Sequence, residues 1–292
     1  GYSVDRMLYE LSLPTVNLEA LKDHVKKLFR KVHIEGLVHG NAGEKAARDY
    51  LQVLVRALKG AELTDSARED QQQVAMLMNG FVFAEPHTNS DDLNHAIELY
   101  YQWPLRGIEH DVTSTLFSEM IAEPCFDQLR TREQLGYIVA CRPRPMLGSY
   151  PPAVLGMSVV IQSSFKAPPD LDRSARTFVD SFVRNMTKMP ASKFKAHKEA
   201  LRAQILEKEK TVHEETGRIW GEIAKRRYDF DRRERVVQAL EPVTLQSVAA
   251  FGAKLTHGMK RSLGVWVYGK GMQPPEDLGM MRELGGRSRI HS

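Results

Sequence analysis

Residues 124–139, PCFDQLRTREQLGYIV, constrain the fold more than any other stretch. They read as a helix that ends at a glycine and passes straight into a strand. Pro124 suits a first helical position, because its missing N–H would be unpaired there anyway. Phe126, Leu129 and Leu135 give the helix an apolar side. Arg130 and Arg132 lie toward its C-terminal end, where the helix dipole favours cations. Gly136 suits the position just past the helix, where a left-handed conformation is easiest without a Cβ. Tyr137, Ile138 and Val139 then read as strand. The junction brings Arg130 on the helix close to Tyr137 at the strand start.

The rest of the chain supplies the partners such a junction needs. Residues 4–13 read as a helix stopped by Pro14, and Asn17 is a good N-cap for a helix over 18–30. Val32 to His39 reads as a short strand, turned by Gly40 and Asn41. Residues 44–58 follow the 3.6-residue period closely through Ala47, Tyr50, Leu51, Leu54, Val55 and Leu58, and Gly60 stops them. A polar, charged linker covers 61–72. Strands are expected at 73–84 and 94–103. In the second, Ile97, Leu99, Tyr101 and Trp103 alternate with Glu98, Tyr100 and Gln102. A helix through Val112, Leu116, Phe117, Met120 and Ile121 precedes the junction. Strand 137–142, a Pro/Gly-rich loop at 143–152 and strand 154–163 follow. Pro168 opens a helix whose inward residues run from Leu171 to Met186, and Pro190 ends it. Ser192 is placed as the cap of a further helix reaching about 210. Two or three more helices lead to a closing strand, Ser262 to Tyr268, and a tail over 271–292. This pattern defines an α+β chain, a mixed, largely antiparallel sheet with helices packed on one face.

Of 292 residues, 42% are hydrophobic, enough for a substantial core. The 41 basic residues are offset by 37 acidic ones, so a net charge of +4 gives no case for nucleic acid. No apolar run is long enough to span a membrane. Two cysteines, Cys125 and Cys141, make no disulfide framework and favour a reducing, cytoplasmic compartment. The chain opens at Gly1 without methionine, so it is expected to begin in mid-protein.

The junction resembles the C-terminal half of the insulinase (pitrilysin-type, M16) zinc metallopeptidases. The Glu123–Val139 string is long and specific. Two further anchors, Leu37 to Asn41 and Ile219 to Ile223 with Tyr228 to Arg232, occur in the matching order. The resemblance covers roughly residues 8 to 270. It implies that 1–60 is the C-terminal remnant of a third domain of this type, and that 73–270 is a complete fourth, C-terminal one. It assigns the N-terminal half of the same enzyme as partner, peptides as substrates, and zinc to the full-length enzyme but not to this chain.

The residues themselves agree on the last point. The zinc motif His-x-x-Glu-His is absent. Its nearest approach, Arg106 to His110, has arginine in the place of the first ligand. His33 and His39 share a side of their expected strand but need a third ligand. His213 has no second histidine at the required spacing. No phosphate-binding loop or nucleophile elbow is present. Spacing alone favours Arg130 as a cap on helix carbonyls and Tyr137 as a packed strand aromatic. The resemblance reverses this, because the family's matching arginine and tyrosine reach into the zinc site of the other half. Tyr137 is then the contact to the scissile carbonyl oxygen and Arg130 a substrate-binding residue. Cys125 reads as a small buried hydrophobe, and Trp220, Tyr228, Phe230 and Asp231 as packing residues. The competing reading is a non-catalytic binding or structural subunit that kept the fold.

Overall fold

The computed structural model describes residues 4–58, 60–63, 75–104, 107–146, 154–258, 261–275 and 282–283. Most of the expected linker, the start of the strand expected at 73, the loop over 147–152 and most of the tail lie outside the described residues. The chain divides into two units. One contains Gly1–Gln71 and Glu209–Ala224, and the other Gln72–Lys208 and Lys225–Ser292.

The first unit holds helices α1 (Val4–Ser12), α2 (Leu18–Leu28) and α3 (Glu44–Ala57), joined by α7 (Val212–Ala224) from far along the chain. Asn17 caps α2 as expected, its Oδ1 accepting from the Ala20 N–H at 3.0 Å. The strand expected over 32–39 shrinks to β1 (Lys31–Val32), paired in parallel with β2 (Glu62–Leu63). Among the described residues the two-residue β2 is all the partner it has, so residues 33–39 carry no ladder. Segment 37–41 instead meets α7. Thr216 Oγ1 donates to the Val212 carbonyl, so the His39 Nδ1–H, 2.8 Å away, is the donor to that oxygen. The Leu37 to Asn41 anchor thus packs on the first turns of α7, the helix that carries Ile219 to Ile223 further along. No residue of α2 or α3 is buried, and Leu18, Leu21, Leu51 and Leu54 are each about half or more exposed.

The second unit is built on a six-stranded mixed sheet. Its strands are β3 (Phe81–Pro86), β4 (His95–Pro104), β5 (Ile138–Pro143), β6 (Val154–Ser163), β7 (Ser262–Tyr268) and β8 (Arg282–Glu283). Their order is β5-β6-β4-β7-β3-β8, and only the β3–β7 pair is parallel. The strand expected over 73–84 starts later, at Phe81. The residues before it spend their backbone groups on the Gln102 amide, whose Oε1 accepts from Leu77 N–H (2.6 Å) and whose Nε2 donates to the Ala75 carbonyl (3.0 Å).

Ile97, Leu99, Tyr101 and Trp103 of β4 face one core with Met157, Val159 and Ile161 of β6 and Val139 and Cys141 of β5. Against this face pack α4 (Ile108–Cys125), α5 (Pro168–Asn185), α6 (Ala191–Leu206), α8 (Arg232–Leu240) and α9 (Leu245–Ala253). The expectation of a mixed sheet with helices on one face holds. At the start of α6, Pro190 occupies the cap position with no side-chain bond, so Ser192 is not the cap. Trp220, Tyr228 and Phe230, expected as packing residues, are each between 42% and 49% exposed.

Candidate functional site

The junction is built differently from its sequence reading. Pro124 is inside a helix, not at its start. The helix α4 runs through Pro124 to Cys125 and continues without a break into a π-helical turn, Phe126–Arg132. Proline removes one i→i−4 hydrogen bond and crowds the carbonyl four residues back, and a wider turn is a known way to take up such a defect. The wider spacing is visible where the Glu133 N–H reaches the Gln128 carbonyl at 2.9 Å, five residues back. Turns of this kind recur at functional sites.

The turn ends at Gln134, which takes the left-handed conformation with φ +50. Gly136 does not. Its requirement for glycine is a close approach: a Cβ there would lie 1.8 Å from the Gln162 carbonyl oxygen and 2.8 Å from its carbon. Strand β6 thus passes against the backbone at Gly136. Leu129 and Leu135, fully buried, anchor the turn from below. Phe126, expected with them on the apolar side, is 43% exposed.

Arg130 and Tyr137 are brought together. The Arg130 guanidinium carbon lies 5.0 Å from the Tyr137 ring centroid and 4.9 Å from that of Phe126. Among the described residues Arg130 makes no ion pair. Arg132, two positions on, is bound to Asp127 at 2.8 Å. Tyr137 is 84% exposed, so the packed strand aromatic that spacing suggested is not what the fold builds. It stands at the head of β5, the edge strand of the sheet. Beside it opens a hollow of about 740 Å³, to which Arg130, Tyr137, Gln134, Asn94, Gln162 and Phe165 contribute. Sequence reasoning missed Phe126, Gln134 and this hollow. The signal for Phe126 was its place four residues before Arg130, a spacing that brings side chains onto one helical face.

Cys125 and Cys141 are free, buried and adjacent. The neighbouring Cys125 thiol and burial hold the Cys141 thiol well above its usual range, so it is a poor nucleophile at neutral pH. Among the described residues no three His, Cys, Asp or Glu side chains group as a metal site. His33 lies 3.8 Å from Glu35, and His39 is committed to Thr216. Purified alone, the chain is expected to retain no stoichiometric zinc after dialysis and to cleave no fluorogenic peptide; one tightly held zinc per chain would overturn this.

A mixed sheet with helices packed on one face is the architecture that the resemblance of residues 123–139 implied. The chain belongs to the insulinase/pitrilysin-type (M16) peptidase family, as a C-terminal portion. A family described as PQQ synthase PqqF-like, C-terminal lobe domain 4, matches residues 116–220. Human insulin-degrading enzyme is 32% identical over 244 residues, covering 82% of this chain and 23% of that enzyme. The chain thus spans about a quarter of the length of the curated relatives it matches. The crystal structure of pitrilysin superposes with a TM-score of 0.74 at 20% identity, over 94% of this chain and 28% of that one. An M16 inactive domain from Pseudomonas fluorescens gives 0.56 at 14% identity, over 90% and 60%. The two structures show the fold. Among the described residues no helix is long and apolar enough to cross a membrane.

Proposed function

We propose that this chain is the C-terminal, non-zinc-binding portion of a peptide-degrading metalloendopeptidase. It supplies Arg130 and Tyr137 to the zinc site of an N-terminal half and helps to enclose the substrate. The observation that carries the reading is the state of Arg130. Aromatic rings hold the guanidinium, no carboxylate among the described residues neutralises it, and an exposed phenol lies beside it. A charge left in this state has donors to offer to something outside the chain.

The chemistry follows from those donors. When a peptide bond is hydrolysed, negative charge gathers on the scissile carbonyl oxygen. The Tyr137 O–H is the donor proposed for that oxygen. The planar guanidinium of Arg130 holds neighbouring substrate carbonyls with its fork of N–H groups. Zinc belongs, on this reading, to the N-terminal half alone. The exposed apolar faces of α2 and α3 support a first unit that is the end of a preceding domain, whose remaining strands and helices would cover them.

Arg130→Ala in the full-length protein is the test. A hydrogen bond from a charged donor is worth roughly 10- to 100-fold in kcat/KM when removed. A loss of that size is expected, with zinc content by metal analysis unchanged. Loss of zinc would show that the substitution disturbs the metal site and not only a substrate contact. An unchanged kcat/KM would remove Arg130 from the substrate contacts, and a parent with no turnover at all would favour the non-catalytic subunit.

A further inference from the structure

We propose that the groove between the π-helical turn and the start of α6, with the lysines at its rim, is a docking surface for an acidic segment of a partner protein that carries an apolar anchor side chain. The inference is independent of the roles given above to Arg130 and Tyr137.

The groove has a volume of about 520 Å³. Asp127, Gln128, Arg132 and Glu133 of the π-helical turn form one wall, and α5 with the first residues of α6 forms the other. Its apolar lining is Pro124, Phe178, Phe182, Met186 and Met189. Phe178 and Met186 are buried, and the other three are half-buried. An apolar hollow under a polar rim is a form of surface that receives an anchor side chain. Methionine, unbranched and polarisable, adapts its shape to such a guest.

The rim is basic. Asp127 and Arg132 neutralise each other at 2.8 Å, and Glu133 accepts from the Gln128 amide at 2.9 Å. Lys188 donates to the neutral Asn185 side chain at 2.9 Å. Lys193 has no partner among the described residues. The excess charge continues past the groove. Residues 181–206 hold six Lys and Arg against one acid, Glu199, a net charge of +5, whereas the whole chain carries +4. In other helices basic residues find a carboxylate one turn away, as Lys22 does with Glu19, Arg48 with Glu44 and Arg176 with Asp172. Arg184, Lys188, Lys193, Lys195 and Arg202 are exposed, and none of them makes an ion pair among the described residues. Like charges one turn apart repel, as Lys198 and Arg202 do, and an anionic partner relieves that repulsion.

The surroundings choose among anionic partners. A lipid surface calls for bulky apolar residues exposed among the basic ones, but Ala196, Ala200 and Ala203 stand there on α6. A single-stranded nucleic acid stacks on exposed rings. The aromatic residue of α6, Phe194, is half-buried and lies 5.9 Å from the Lys198 amine. An acidic protein segment uses both features, its anchor in the groove and its carboxylates on the lysines.

The test uses the full-length protein with a chelator present and a fluorescein-labelled peptide, EDEFLEDE, followed by anisotropy. This peptide is expected to bind, and EDEGGEDE, which lacks the anchor, about tenfold more weakly. Lys188→Glu combined with Lys193→Glu reverses two exposed charges and is expected to weaken EDEFLEDE about tenfold, with Tm unchanged. Ser181→Trp, which fills the groove, should weaken EDEFLEDE and leave EDEGGEDE as it was. Arg130→Ala should leave both peptides as they were. Absence of binding, equal binding of the two peptides, or equal binding by the charge-reversed variant overturns the proposal. Loss of binding in Arg130→Ala also overturns it, because the peptide then sits in the hollow beside Tyr137. Phosphatidylserine vesicles and a single-stranded oligoribonucleotide are the remaining arms. Retention of either that charge reversal abolishes, without binding of EDEFLEDE, gives the surface to lipid or to nucleic acid instead.

Discussion

Full-length protein carrying Tyr137→Phe is expected to lose about 10²–10³ in kcat, the usual worth of a donor aimed at a developing oxyanion. KM is expected to move little, because the hydroxyl is proposed to act on the transition state more than on the bound peptide. The substitution separates the two parts of the side chain. The ring stays, and with it the contact to Arg130 at 5.0 Å. The hydroxyl goes, and among the described residues it bonds nothing within the chain. Tyr137 is 84% exposed, so thermal stability should remain that of the parent. A kcat within twofold of the parent would remove Tyr137 from the chemistry and leave it a surface aromatic at a strand start.

Gly136→Ala is expected to act on the fold itself. The added Cβ would lie 1.8 Å from the Gln162 carbonyl oxygen, and backbone atoms on β6 cannot rotate out of the way as a side-chain end does. The backbone of the junction or of β6 must shift. Overpacking of this kind costs up to about 3 kcal/mol, occasionally more. For a domain of roughly 200 residues that corresponds to a Tm lower by about 6–12 °C. Gly221→Ala serves as the control. A Cβ at Gly221 meets nothing within 4 Å, and the residue lies inside α7. Alanine in a helix interior is favoured over glycine by up to about 1 kcal/mol, so this variant should be as stable as the parent or more so. Calorimetry of the two variants side by side decides the matter. Equal behaviour would show that the approach of β6 to Gly136 is looser than described.

Much of the framework was written in local pattern. Strand β6 spans the expected residues 154–163, and the inward residues of α5 and β4 are those that the 3.6- and 2-residue periods select. Asn17 caps α2 because an amide oxygen ahead of a helix finds the same N–H wherever it occurs. The family was legible for a related reason: a long string of specific residues around Arg130 and Tyr137 is a property of sequence alone. Tertiary structure decided what depends on residues distant in the chain. The parallel pairing of β3 with β7 joins opposite ends of the second unit. The meeting of His39 with Thr216 carries part of the later sequence into the first unit. At the junction, local rules placed Pro124 at a helix start and Gly136 in a left-handed cap, and both placements were wrong. The helix continues through Pro124 because α4 is held against the sheet by Leu116, Phe117 and Met120, all fully buried, which outweighs one lost hydrogen bond. Glycine is required at 136 because β6 lies against it, a contact that does not exist until β5 and β6 pair. The same pairing leaves Tyr137 in the open, where its spacing alone had suggested a packed ring.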